Sequence, residues 1–442
     1  MEQKMTRTTF LGGIHPYEGK ELSKDKPILD ILPGSDLVYP LSQHIGAPAV
    51  PIVKKGDRVL VGQKIAEAGG FVSACICSSV AGTVKAIEPR RVVTGDMVMS
   101  IIIENDNTYE EVEYPAVRPL EEMTREEIIS CVQEAGVVGM GGAGFPTHVK
   151  LSVKKPEKID YVIVNCAECE PYLTSDYRRM IEEGDKILEG LKVALALFPN
   201  AKGVLAIEDN KPDCIELFKE KTVDESRILV RKLKTKYPQG AERSLIYAVT
   251  KRKLDSSRLP ADVGCVVNNA DTIVAIGQAV LHRKPLMERI VTITGDAIKE
   301  PRNFRVKIGT NYHELIEAAG GFKTEPEKII SGGPMMGFGV FELDLPTTKT
   351  ASALVCLTKD EVSLLEPTAC INCGRCLEAC PARLMPNKLS DFSAKHKEEE
   401  FIKYYGMECV ECGCCSYVCP AKRYLAQNIK SMRKTVLSKK KK

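Results

Sequence analysis

Two stretches near the C-terminal end carry cysteines at a spacing suited to metal–sulfur chemistry. Cys370, Cys373, Cys376 and Cys380 precede Pro381, and Cys409, Cys412, Cys415 and Cys419 precede Pro420. Both read C-x2-C-x2-C-x3-C-P, the run whose thiolates hold [4Fe-4S] clusters. Three thiolates two residues apart wrap a tight loop around one face of a cubane. The fourth starts a helix that points away, and in paired motifs it ligates the other cluster. This assigns Cys370, Cys373, Cys376 and Cys419 to one cluster, and Cys380, Cys409, Cys412 and Cys415 to a second. Zinc sites present two C-x2-C knuckles across a spacer, a pattern this doubled, compact run does not follow. Cys414 interrupts the second loop and is read as a bystander.

A second chemical feature lies upstream, in Gly139-Met-Gly141-Gly142-Ala-Gly144-Phe145-Pro146-Thr-His-Val-Lys150. Glycines let backbone N–H groups approach phosphate oxygens, and a helix start adds the positive end of its dipole. The stretch before it, Arg125 to Ala135, has the pattern of an amphipathic helix. The strand-first dinucleotide fingerprint is therefore not met, and no Gly-Lys-Ser/Thr marks a Walker loop. Taken alone, the loop is a glycine turn.

The elements that must position these residues fall into a multidomain α+β and α/β pattern. Residues 1–27 form an N-terminal extension. Residues 28–107 hold short β-prone runs, such as Ser78-Ser-Val-Ala-Gly82-Thr-Val-Lys85, punctuated by Gly-Asp turns such as Gly56-Asp57, which predict a small β barrel-sandwich module. It resembles lipoyl/biotinyl domains, but Gly69-Gly-Phe-Val-Ser-Ala74 stands where a carrier lysine belongs. Residues 120–290 alternate strand (Tyr161–Asn165, Val204–Ile207, Ile228–Val230) and helix (Asp176–Leu197, Pro212–Lys221, Glu242–Thr250), predicting an α/β domain. Residues 291–350 resemble a β-grasp (SLBB-like) domain, and residues 360–430 read as an α-helical double-cluster domain with a helical insert. Residues 431–442 form a basic tail.

Composition bounds the rest. The 442-residue chain has an ordinary globular balance, 44% hydrophobic and 27% charged. Its 17 cysteines, with no apolar leader after Met1, suit metal ligation in a reducing compartment better than disulfides. No apolar run has the length of a membrane span. Net charge is +3, yet Lys422, Arg423, Lys430, Arg433, Lys434 and Lys439 to Lys442 face no acid, a block that suits an anionic surface or solvent. Nothing points to nucleic acid.

Several segments together resemble the NADH-oxidising flavoprotein subunit of respiratory complex I. They are the glycine loop, Tyr161-Val-Ile-Val-Asn165-Cys-Ala-Glu168-Cys-Glu170-Pro171, Gln239-Gly240-Ala241-Glu242 and Asn268-Asn269-Ala-Asp271-Thr272. The chain departs from that pattern at Ala167 and at Val153, where an acid and a second aromatic are the rule. Over nearly its whole length, including Gly12-Gly13-Ile-His15-Pro16, Pro40 to Pro48, Glu208 to Pro212 and Tyr237-Pro238-Gln239-Gly240, it is similar to the C-subunit family of the Rnf complex, a membrane-bound ferredoxin:NAD+ oxidoreductase.

The resemblance implies FMN and NAD(H) beside the two [4Fe-4S] clusters. Gly139, Gly141, Gly142 and Lys150 would hold the FMN phosphate. Asn165, Asn268, Asn269 and Thr272 would contact the rest of the flavin. Phe145 would stack on the nucleotide, with Glu170 and Glu242 near its ribose or nicotinamide. Other Rnf subunits, a ferredoxin-type electron donor among them, would be the partners. They would hold the chain peripherally at the cytoplasmic face of the cell membrane. A flavin and iron–sulfur reductase of cobalamin metabolism and a non-catalytic ferredoxin-like carrier are the alternatives.

Overall fold

The computed structural model describes residues 8–440. Met1–Arg7 and the final Lys441 and Lys442, the end of the basic tail, lie outside the described residues. The β-prone runs of the N-terminal module form two small antiparallel sheets. One orders Leu37–Pro40, Met97–Asn105, Gly82–Arg91 and Arg58–Val59; the other orders Val50–Pro51, Lys64–Glu67 and Ile76–Cys77. Their inward residues, Leu37, Tyr39, Ile65, Ile76, Ile101 and Ile103, are almost completely buried. Gly69–Ala74 is the hairpin tip of the second sheet, and it rests on the helix after the glycine loop, where His148 Nε2 meets Phe71 O at 3.0 Å.

At the centre is a parallel sheet ordered Ile228–Leu233, Lys202–Glu208, Tyr161–Cys166, Cys265–Asn269. Its inner strands, Lys202–Glu208 and Tyr161–Cys166, are near-continuous apolar runs because helices cover both faces. Gly190 and Gly277 let Gly184–Ala196 and Ala270–Leu281 pack closely: a Cβ at Gly190 would fall 2.0 Å from Ile273 O. One helix was expected over Asp176–Leu197. It is instead broken at Glu183 (φ −130°, ψ 32°) into Ser175–Glu182 and Gly184–Ala196. The Glu183 carboxylate turns to Arg179, Lys186 and Arg305. Arg305 belongs to a distant strand, so tertiary pairing imposes the break.

A six-stranded mixed sheet follows, ordered Leu29–Asp30, Arg302–Lys307, Glu288–Thr294, Ala353–Leu357, Lys328–Ser331, Phe338–Val340. Two boundaries read from sequence need correction. A division at residue 350 cuts off the inner strand Ala353–Leu357, and Leu29–Asp30, counted with the N-terminal module, is an edge strand here.

The last unit is helical, as expected: Arg375–Ala379, Pro386–Ala394, Glu398–Lys403, Cys414–Tyr417 and Leu425–Lys440. The basic run is not a loose tail, which corrects that expectation. Ile429, Met432 and Val436 face inward at helical spacing onto Leu389 and Phe401. Arg433 pairs with Glu411 and Lys439 with Glu398. Among the described residues, no helix is long and apolar enough to cross a membrane.

Candidate flavin crevice and cluster cavities

The glycine loop, the strand ends and the cap of one helix meet at the carboxyl edge of the parallel sheet, where open α/β folds bind ligands. Asn165 and Asn269 are register partners on the Tyr161–Cys166 and Cys265–Asn269 strands. Asn165 Nδ2 donates to Gly240 O at 2.8 Å, and its Oδ1 accepts the Ala167 amide at 3.2 Å. Asn269 caps the Ala270–Leu281 helix, accepting from Asp271 N at 2.9 Å, and its Nδ2 donates to Asp176 Oδ2 at 2.7 Å. Thr272 Oγ1, fully buried, accepts the Met140 amide at 3.0 Å and so ties the glycine loop to that helix.

Within the loop, Gly139 N donates to Phe145 O at 2.8 Å, closing the turn. A Cβ on Gly141 would lie 2.9 Å from Asn269 Cβ, whereas a Cβ on Gly142 would meet nothing within 4 Å. The loop thus presses against Asn269 on one side and opens on the other. Lys150 Nζ donates to Val267 O at 2.8 Å and stands 3.4 Å from Glu242 Oε1, beside the same strand end. The Phe145 side chain is half-buried on the loop.

Glu170 packs against the loop that follows the Lys328–Ser331 strand. Its Oε2 accepts the Met335 amide at 3.2 Å, Oε1 has no partner, and burial pushes the carboxyl up to about 7. Cys166 is fully buried, and Cys169 Sγ accepts Gly240 N at 3.2 Å, so both are packed thiols.

Three buried amide atoms here have no partner: Asn268 Nδ2 and both polar atoms of Gln239, whose side chain is 0% exposed. Buried amides are paired in folded proteins, and leaving one unmade costs about 1–3 kcal/mol. Such orphans beside an open glycine loop fit a ligand rich in ring donors and acceptors with a phosphate, which is what FMN offers. Gln239 carries no role in the sequence reading, where its motif neighbour Glu242 held the signal.

The eight motif cysteines separate into two cavities. Cys370, Cys373, Cys376 and Cys419 line one; Cys380, Cys409, Cys412 and Cys415 line the other, together with the buried Cys414. Each cavity draws three thiols from one motif and the fourth from its repeat. Among the described residues, no three Cys, His, Asp or Glu side chains converge on a single-ion site; the thiols ring a volume instead. The first cavity reaches the surface, with Cys373 exposed and Ile371 67% exposed. The second sits under the α/β domain: Tyr237 Oη donates to Cys412 O at 2.8 Å, and a Cβ on Gly413 would approach Met335 O at 3.1 Å. The same Met335 bonds Glu170, so the Glu170 loop and the second cavity share a neighbour. Gly12 and Gly13 wedge the N-terminal segment between them, since Gly13 N donates to Ala379 O at 2.8 Å and a Cβ on Gly12 would lie 2.6 Å from Cys380 O.

Fold and site together define an electron-transfer protein with a flavin-binding α/β domain and a double iron–sulfur domain. The matched family descriptions agree: RnfC barrel sandwich hybrid domain (residues 8–108), Nuo51 FMN-binding domain (132–278), SLBB domain (290–339) and 4Fe-4S dicluster domain (363–434).

The chain is 44% identical to the C subunit of the Na(+)-translocating ferredoxin:NAD(+) oxidoreductase complex of Acetobacterium woodii, over 98% of each chain. It is 46% identical to the proton-translocating counterpart of Clostridium ljungdahlii, over 90% of this chain and 87% of that one. With the C subunit of the ion-translocating oxidoreductase complex of Vibrio cholerae it shares 36% identity, over 89% of this chain and 51% of that longer one. The fold is also similar to a chain in the crystal structure of an NAD+-reducing [NiFe]-hydrogenase in the H2-reduced state. There the TM-score is 0.51 at 15% identity, covering 73% of this chain and 62% of that one. The chain belongs to the family of C subunits of Rnf ferredoxin:NAD(+) oxidoreductase complexes.

Proposed function

We propose that this chain is the point in its complex where NAD(H) meets one-electron carriers, with FMN in the crevice and a [4Fe-4S] cluster in each cysteine cavity. FMN, when bound, supplies the exchange between a two-electron hydride carrier and one-electron carriers. The observation that carries the reading is the chain of contacts from Asn165 through Gly240 and Cys169 to Glu170, and from Glu170 through Met335 to Gly413 at the second cavity.

The chain's own residues bind and orient. Gly139, its amide closing the turn on Phe145 O, shapes the loop, and the backbone amides of Gly141 and Gly142, with Lys150 behind them, face the phosphate. Asn165, Asn268, Asn269, Thr272 and Gln239 present fixed donors and acceptors to the flavin ring. Phe145 offers a face to the nucleotide, with Glu242 at the crevice rim and Glu170 deeper, toward the clusters. Cys370, Cys373, Cys376 and Cys419 hold the surface cluster, and Cys380, Cys409, Cys412 and Cys415 the inner one. The exposed edge at Cys373 and Ile371 is the side open to a ferredoxin-type partner.

Attachment at the cytoplasmic face of the membrane, through the other Rnf subunits, fits a chain without a spanning helix among its described residues. The named relatives belong to a Na(+)-translocating and a proton-translocating complex, and with no spanning helix among this chain's described residues the ion path is assigned to other subunits. Anaerobic purification is expected to give about eight iron atoms per chain and one acid-releasable FMN. Zinc in place of iron, or no flavin, would end the reading.

A further inference from the structure

The basic run near the C-terminal end does not spend all its charge inside the fold. On the Leu425–Lys440 helix, Ile429, Met432 and Val436 turn inward, Arg433 pairs with Glu411 and Lys439 with Glu398. Lys430 and Lys434, one helical turn apart, are exposed and make no ion pair among the described residues. The Lys430 ammonium stands 5.0 Å from the centre of the Phe338 ring, within reach of a cation–π contact. This contact joins the helix to a second exposed feature, on another domain.

Phe338 begins the outermost strand of the six-stranded sheet, Phe338–Val340, whose far edge pairs with no strand among the described residues. Just past that strand Phe341 is 76% exposed, with the Arg91 guanidinium 5.3 Å from its ring centre. Both rings line a groove of about 100 Å³ between the strand and the hairpin tip at residues 92–95. Met97, 58% exposed, lines the adjoining cavity with Arg91. The acids here already have partners: Glu342 pairs with Arg91 at 2.7 Å, Asp36 with Lys85 and Glu88 with Arg90, and Asp344 accepts from Asn311. Bare apolar side chains therefore alternate with cations across one surface, and the unpaired charge falls at its helical end.

We propose that this surface, from Phe341 and Phe338 to Lys430 and Lys434, rests directly on anionic phospholipid. The rings reach the acyl boundary and the ammonium groups meet headgroup phosphates. Exposed apolar patches on folded chains mark interaction surfaces. Aromatic rings flanked by lysine and arginine suit the headgroup level of a bilayer, where a ring is buried while a cation stays at the phosphates. Charge complementarity selects the occupant: the unpaired ammonium groups call for an anion, the bare rings beside them for hydrocarbon, and one lipid leaflet supplies both. An acidic protein surface would satisfy the lysines without placing Phe341 in hydrocarbon. The contact adds to attachment through other subunits, and it stands whether or not the flavin reading holds.

The purified full-length holoprotein is sedimented with phosphatidylcholine vesicles, with and without phosphatidylglycerol. Binding is expected only with phosphatidylglycerol, falling roughly tenfold or more between about 0.05 M and about 0.5 M salt. Phe338→Ser with Phe341→Ser, and Lys430→Gln with Lys434→Gln, are each expected to weaken it roughly tenfold or more. Iron and acid-released FMN should stay as in the unmutated protein. The chain contains no tryptophan, so Phe341→Trp places a single reporter in the patch. Its emission is expected to shift to the blue on vesicle addition and to be quenched by brominated acyl chains. If the double phenylalanine variant loses iron or FMN, this reporter decides. No binding of the unmutated protein would overturn the proposal and leave the patch to an acidic partner. Binding that survives either pair of substitutions, or tryptophan emission unmoved by bound vesicles, would overturn it as well.

Discussion

Replacing Cys419 with serine is expected to lower the iron content from about eight to about four atoms per chain, and to remove the cluster built on Cys370, Cys373 and Cys376. In sequence, Cys419 follows Cys415 and belongs with the second motif. In space it lines the first cavity with Cys370, Cys373 and Cys376, while Cys380 has crossed to the second. Serine keeps the side-chain size but replaces a soft thiolate with a hydroxyl, a poor ligand for iron–sulfur clusters. The helical frame should survive, because Leu389, Phe401, Ile429, Met432 and Val436 form a core of their own. Iron analysis with low-temperature electron paramagnetic resonance distinguishes the two clusters by their separate reductions. Loss of the cluster on Cys409, Cys412 and Cys415 instead would show that the fourth ligands do not cross.

Gly141→Val is expected to abolish FMN retention while iron stays near that of the unmutated protein. A Cβ at this position falls 2.9 Å from Asn269 Cβ and 3.2 Å from its Cγ. Asn269 has little room to yield, since it caps one helix and bonds Asp176. The loop must therefore move, and with it the amides that face the phosphate. Overpacking of this kind costs about 1–3 kcal/mol, roughly 5- to 150-fold in affinity, before any lost hydrogen bond is counted. Acid-released flavin per chain, measured beside iron, checks this. Full flavin occupancy in the variant would move the phosphate site away from the loop.

The parts of this molecule that were legible in sequence are those fixed by local spacing. The cysteine motifs, the Pro212–Lys221 and Glu242–Thr250 helices and the apolar strands of the parallel sheet depend on neighbours within a few residues. The break at Glu183 was hidden because Arg305, which draws its carboxylate, lies in another sheet. Leu29–Asp30 was misplaced for the same reason: a two-residue strand has no pattern of its own, and only its pairing with Phe304 and Arg305 defines it. The C-terminal helix was obscured differently. Ile429, Met432 and Val436 carried the helical spacing, but the surrounding lysines and arginines dominated the composition. In the candidate site, Asn165, Asn269, Thr272 and the glycine loop meet at one edge of the parallel sheet. Gln239 entered only as part of a motif, since what marks it is partnerless burial, and burial is a property of the assembled fold.

The most direct test of the central claim is a single-turnover reaction run without oxygen. The clusters of the purified holoprotein are reduced chemically, excess reductant is removed, and NAD+ is added. NADH formation is followed by near-ultraviolet absorbance and the clusters by their paramagnetic signal. The account predicts that NADH appears as the cluster signal disappears. It further predicts that the flavin-free Gly141→Val protein keeps its clusters reduced and forms no NADH. Clusters that stay reduced in flavin-loaded unmutated protein, or NADH formed equally well without flavin, would contradict it.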